Sequence, residues 1–191
     1  MVILGLCGSL RQGSYNRRLL QVAEAKLPLG ETLDVFEGLT QIPPYNADSA
    51  APQAVKALRE AIIAADAVLI ATPEYNSSVP GQLKNALDWA SRPFPDNSLR
   101  NKPVAVIGAS TGLFGAVWAQ AELRKILTTI GADVVEGELP VGQAHDAFTE
   151  DNDLADPGLA SALSDLLDQL LHKVPIEADA AAKHFERGVL K

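Results

Sequence analysis

Ala67-Val68-Leu69-Ile70-Ala71-Thr72-Pro73-Glu74-Tyr75-Asn76-Ser77-Ser78-Val79-Pro80-Gly81-Gln82-Leu83-Lys84-Asn85-Ala86-Leu87-Asp88-Trp89 decides the fold. Its first five residues are apolar without alternation, the pattern of a strand covered on both faces in a parallel sheet. A cluster of Pro, Asn and Ser then marks a loop. Pro80 suits a first helical turn, and Val79, Leu83, Ala86, Leu87 and Ala90 recur at helical spacing. The stretch is therefore a strand, a polar loop at its carboxyl end, and a helix. In open α/β sheets that end of a strand is where ligands bind.

The same alternation runs through the rest of the chain. Residues 2–7 are a second uniformly apolar strand, followed by a Gly- and hydroxyl-rich loop over 8–16. A helix is expected over about 15–27, with Leu19, Leu20, Ala23 and Leu27 on one face and Pro28 and Gly30 as its stop. Residues 33–36 form a short, more polar strand suited to a sheet edge, and 42–46 an irregular crossing. Pro52 opens a helix to about Ala65, with Val55, Leu58, Ile62 and Ala65 inward. After the opening stretch, 92–96 breaks the helix and 102–108 gives another apolar strand. A small-residue loop at 109–115 leads into a helix with Leu123, Ile126, Leu127 and Ile130 as its stripe, closed by Gly131. Residues 132–136 read as the fifth strand and 140–153 as a polar loop. Leu159, Leu163, Leu166, Leu167, Leu170 and Leu171 line a final helix.

Five strands alternating with five helices predict an α/β fold, a doubly wound five-stranded parallel sheet. Right-handed crossovers and the polar second strand favour the order 2-1-3-4-5. Residues 1–173 form one domain in this reading, with 174–191 a charged, Ala-rich tail of unsettled structure. The switch point falls between the first and third strands, so loops 8–16 and 73–79 flank one crevice with 109–115 beside them.

A net charge of −8 removes the basic surplus that a nucleic-acid or anionic-membrane partner requires. The single cysteine, Cys7, lies in an apolar run and reads as small core filler. No apolar run approaches the roughly 20 residues of a membrane span. The chain enters its first strand without a segment of signal-peptide character, and a cytoplasmic protein is the expectation.

The first loop offers Ser9, Ser14 and Asn16 as donors, unhindered backbone near Gly13, a helix N-terminus and the Arg11 guanidinium. That set suits a phosphate, with an ordinary N-capped turn as the alternative. It matches neither the P-loop nor the dinucleotide fingerprint. In the second loop, Glu74 and Tyr75 lie far in sequence from His145, His172 and His184 and have no triad or metal-ligand spacing. Glu74 reads as a loop-shaping carboxylate, and the loop as backbone polar groups with a flat Tyr able to hold the edge of a planar heterocycle. The third loop adds Ser110, Thr111 and Gly112, either for the same ring or as turn geometry alone.

Gly8-Ser9-Leu10-Arg11-x-x-Ser14-x-Asn16 and Thr72-Pro73-Glu74-Tyr75-Asn76-x-Ser78-Val79-Pro80-Gly81-x-Leu83-Lys84-Asn85-Ala86-Leu87-Asp88-Trp89 strongly resemble the NADPH-dependent FMN reductase family. Lys102-Pro103-Val104, Gly108-Ala109-Ser110 and Ala119-Gln120-x-x-Leu123-Arg124 are similar to its third block, and the likeness covers about residues 2–135. The resemblance implies a flavodoxin-like fold and FMN, with NADPH or NADH as co-substrate. It implies that Ser9, Arg11, Ser14 and Asn16 hold the phosphate, with Tyr15 also at the cofactor. Pro73, Glu74, Tyr75, Asn76 and Ser77 would line the ring, and Ser110, Thr111 and Gly112 would complete the pocket. The family has more glycine after Gly112 and a basic residue near position 118, where this chain carries Leu113, Ala116 and Trp118. The implied activity is hydride transfer from nicotinamide to flavin and on to a small acceptor: a quinone, chromate, an azo or nitroaromatic compound, or free flavin. An electron-transfer module without nicotinamide turnover is the alternative. The family commonly forms homodimers or homotetramers, and Trp89, off the apolar stripe, is either a subunit contact or tucked beneath 92–95.

Overall fold

The structure is a computed structural model, and it describes residues 1–175. The last part of the tail, 176–191, with His184, lies outside the described residues. The elements are β1 (Val2–Cys7), α1 (Tyr15–Ala25), β2 (Thr32–Val35), a 3-10 turn (Gly38–Gln41), α2 (Gln53–Ala64), β3 (Ala67–Thr72), α3 (Gly81–Ala90), β4 (Pro103–Ala109), α4 (Val117–Ile130), β5 (Asp133–Val134), β6 (Pro140–Val141) and α5 (Pro157–His172). The sheet runs β2-β1-β3-β4-β5 and every pairing is parallel, as the sequence predicts.

Uniformly apolar strands make two cores here, because alternate residues leave opposite faces of the sheet. Ile3, Leu69, Ala105 and Ile107 pack beneath α1 and α5 with Leu19, Leu20, Leu163 and Leu167. Leu4, Leu6, Val68, Ile70, Val104 and Val106 pack beneath α2, α3 and α4 with Leu58, Ile62, Leu83, Leu87 and Leu123. Each fully buried Leu or Ile contributes about 1.5–3 kcal/mol against solvent exposure, so the strands are held from both sides. Local signals set the helix ends. Ser14 caps α1, Asp156 caps α5 ahead of Pro157, and Gly131 ends α4 in the left-handed region at φ 101°.

Two expectations change. The fifth strand is only two residues long, and the loop expected over 140–153 begins with a further strand, β6, parallel to β4. Gln120 is the physical reason. Its buried carboxamide accepts from the Leu139 backbone N–H at 3.1 Å and donates to the Leu139 carbonyl at 3.2 Å. The backbone thus leaves β4 after Val135, is caught by a side chain, and returns beside Gly108 and Ala109. Trp89 is also not an outer residue. It is buried, its indole N–H donates to the Pro43 carbonyl at 2.9 Å, and its ring meets Tyr45 edge-on at 4.9 Å. The irregular crossing at 43–45 covers that flank of α3, and Asn85 pins the same crossing through Tyr45 N–H and the Pro43 carbonyl.

Candidate functional site

β1, β3 and β4 end side by side, and the three loops leaving them meet in one cavity of about 90 Å³. Ser9, Arg11, Ser14, Tyr15 and Asn16 line it from the first loop and the start of α1. Pro73, Glu74 and Tyr75 line it from the second loop, and Ser110 and Thr111 from the third. Asn76, Ser77 and Gly112 lie outside that lining. Close approach is possible because residue 8 is glycine. A Cβ there would sit 2.9 Å from a Leu83 methyl and 3.2 Å from the Pro73 ring. The Gly8 N–H instead donates to the Ala71 carbonyl at 2.8 Å and locks the ends of β1 and β3 together.

Within the first loop the polar groups divide into committed and open ones. Asn16 is buried, donating to the Ala109 carbonyl at 2.9 Å and accepting from the Ala109 N–H at 3.0 Å. Both ends of its carboxamide therefore tie α1 to the end of β4. Ser14 accepts from the Arg17 N–H as a helix cap. Arg17 forks onto Glu37, and this hydrogen-bonded contact holds the Glu37 carboxyl below the usual carboxylate range. Tyr15 stacks nearly parallel on Phe148, whose loop is fastened to α1 by Arg18 on Asn152 and the Thr149 carbonyl. Arg11 differs. It is exposed and, among the described residues, has neither a hydrogen-bond partner nor an ion-pair partner. A positive, planar donor beside a helix N-terminus has the chemistry to receive an anion such as a phosphate.

The second loop is a tight reversal. Tyr75 and Ser78 exchange both backbone hydrogen bonds, at 3.1 and 3.2 Å, with Asn76 and Ser77 at its tip. Both tip residues have left-handed backbone, φ 53° and 60°, as two-residue hairpin turns of the primed type require. Glu74 is a clamp. One carboxylate oxygen accepts from the N–H groups of Trp118 (3.0 Å) and Ala119 (3.1 Å), the free end of α4. That end needs an outside acceptor, because its N-cap residue is Ala116, whose side chain has none. In return Glu122 of α4 accepts from the Ser78 hydroxyl at 2.6 Å and the Val79 N–H at 3.3 Å. The loop and α4 are latched by two carboxylates running in opposite directions. Glu122 and Gln120 were not singled out for these roles from the sequence, since nothing in local spacing announces a partner 44 or 19 residues away.

The third loop is held from beneath by the stretch around β6. Ser110 N–H donates to Val141 and the Gly112 carbonyl accepts from Gln143. A Cβ on Gly115 would fall 2.2 Å from the Pro140 carbonyl carbon, and Gly115 has φ 58°, so this glycine is obligatory twice over. His145 and His172 are exposed and not part of the cavity lining, and no group of three or more His, Cys, Asp or Glu suited to a metal occurs among the described residues. No helix among them is long and apolar enough to cross a membrane.

Three strand ends, the N-terminus of α1 and, among the described residues, an unpaired arginine meet at this cavity. The model of the NADPH-dependent FMN reductase family matches residues 1–146, and the chain belongs to that family of oxidoreductases. It is 45% identical to an NAD(P)H-dependent FMN reductase from Pseudomonas aeruginosa, over 81% of this chain and 84% of the relative. It is 42% identical to a quinone reductase from Escherichia coli K12, over 70% of this chain and 72% of that one. Among solved structures it superposes on FerB, a flavoenzyme NAD(P)H:(acceptor) oxidoreductase from Paracoccus denitrificans, with TM-score 0.80 and 36% identity, covering 91% of this chain and 96% of that one.

Proposed function

We propose that the chain is an FMN-dependent NAD(P)H oxidoreductase that reduces small quinones. The observation carrying this reading is the convergence of three loops on one cavity, with Arg11 at its mouth unpaired among the described residues. The donor set fits FMN: Arg11 with the Ser9 and Ser14 hydroxyls for the phosphate, and the backbone of 73–75 and 110–111 for a planar ring. Asn16 supports that cradle from behind through Ala109. Asn76, Ser77 and Gly112 flank the ring's outer edge in this reading.

Bound FMN supplies the redox chemistry, accepting a hydride equivalent from the nicotinamide and passing it to an acceptor. The balance is NAD(P)H, a proton and a quinone giving NAD(P)+ and the hydroquinone. The side chains have the smaller tasks of binding, orienting and leaving one face accessible. Glu74 is committed to the end of α4 and holds the loop in place, with no role as a proton donor. Residues 1–173 act as one domain, and the cytoplasm, where reduced nicotinamides are made, is its setting. Quinone reduction is supported by the relatives that carry that name, and the family resemblance supports a homodimer or homotetramer.

The purified protein is expected to show a yellow flavin spectrum that bleaches with NADPH or NADH under argon and recovers on adding a benzoquinone. A protein that stays colourless and ignores added FMN overturns the reading. One that holds FMN but never bleaches with either nicotinamide is an electron carrier instead.

A further inference from the structure

The sequence from Pro103 through Ala121 contains no charged residue, and in its middle it exposes a cluster of large apolar side chains. Leu113 is 68% exposed, Phe114 58% and Trp118 49%, and the two aromatic rings meet edge-to-face at 5.2 Å. This cluster stands beside the mouth of the cavity. Phe114 follows Thr111 of the cavity wall by three residues, and the Trp118 N–H is bonded to Glu74 of the opposite wall. Tyr75, on the same wall, is itself 49% exposed. Large apolar groups that face water this openly mark a contact with something apolar. Rings held edge-to-face offer a flat, rigid wall at little entropic cost, since neither has to be ordered when a ligand arrives.

We infer that Phe114 and Trp118, with Leu113 beside them, form the wall that selects the acceptor, favouring an uncharged planar quinone over an inorganic anion. The inference rests on the oxidoreductase reading above and sharpens it. Charge decides the direction. The 19-residue stretch that carries the wall has no cation to receive an inorganic anion, and the Glu74 carboxylate is hydrogen-bonded to its backbone at Trp118 and Ala119. An anion such as chromate or ferricyanide would be desolvated against aromatic rings without a counter-charge, whereas a naphthoquinone buries its rings there. Trp118 and Phe114 are positioning residues for the acceptor in this scheme. They supply no proton and no electron.

The test uses Trp118→Ala and Phe114→Ala in the flavin-loaded protein, each assayed with a neutral naphthoquinone and with ferricyanide. Trp118→Ala keeps the backbone N–H that Glu74 accepts, so the start of α4 is preserved. Each variant is expected to lower the ratio of quinone kcat/KM to ferricyanide kcat/KM by about three- to tenfold, through KM for the quinone. Trp118→Phe is expected to restore most of the loss. An unchanged ratio with normal nicotinamide bleaching overturns the wall and leaves the oxidoreductase reading intact. A fall in assembly mass by light scattering, with the acceptor ratio unchanged, overturns it too and assigns the rings to a contact between copies. A protein without flavin in every form, wild type included, overturns the oxidoreductase reading itself.

Discussion

The first and second loops face each other across one cavity and treat their polar side chains in opposite ways. In the first, Arg11 projects with no partner among the described residues, while Asn16 behind it is satisfied at both ends by Ala109. In the second, the only ionisable groups are Glu74 and Tyr75; Glu74 is fastened to α4, and Glu122 of α4 fastens the loop in return. The first loop therefore offers charge to a ligand, and the second offers shape. The lesson is that residue type alone does not separate ligand groups from scaffold. Asn16 and Arg11 are both polar, both in the same motif and both beside the cavity, yet their partners divide them.

Three substitutions test that division. The largest effect is expected from Asn16→Ala, which leaves the buried Ala109 N–H and C=O without partners and should cost about 3 kcal/mol of stability in urea unfolding. A variant as stable as wild type but weak in FMN binding would move Asn16 to the ligand side. Next, Arg11→Ala is expected to weaken FMN binding by about 2 kcal/mol, roughly thirtyfold, in a flavin-fluorescence titration. The unfolding midpoint of its flavin-free form should not move, because among the described residues the side chain has no hydrogen bond or ion pair to lose; a destabilised apo-protein would break the comparison from the other side. The smallest effect is expected from Glu74→Gln, which keeps an acceptor at the α4 end and loses the charge that suits a helix N-terminus. A loss of about 0.5–1 kcal/mol in thermal unfolding is predicted. A much larger loss, or an abolished nicotinamide reaction at normal stability, would show that the carboxylate does more than hold the loop.

The sequence made some parts of this molecule legible and concealed others for physical reasons. β1, β3 and β4 are covered on both faces, so their composition announces them, and the order of the sheet follows from right-handed crossovers. Ten of the thirteen site residues that the family resemblance implied line a single cavity at the ends of those strands. β5 and β6 were misread because two residues carry no periodicity and because the break between them is made by a buried glutamine from another element. For Trp89 the sequence left open a subunit contact or burial beneath 92–95; it is buried, but against the crossing at 43–45, which widens the buried face of α3 beyond the helical stripe. Helical spacing likewise fails to show that Asn85 and Trp89 both bind the Pro43 carbonyl.

The divided strand beside β4 also bears on self-association. A sheet that ends in a long, flat strand offers a continuous row of backbone donors and acceptors to a neighbouring molecule. Here β4 is bordered by two residues at its start and two near its end, with the chain turned away between them. An incoming strand thus finds no template longer than a single dipeptide on that side. The buried glutamine that shapes the third loop therefore also keeps that edge of the sheet from offering a long template for strand pairing.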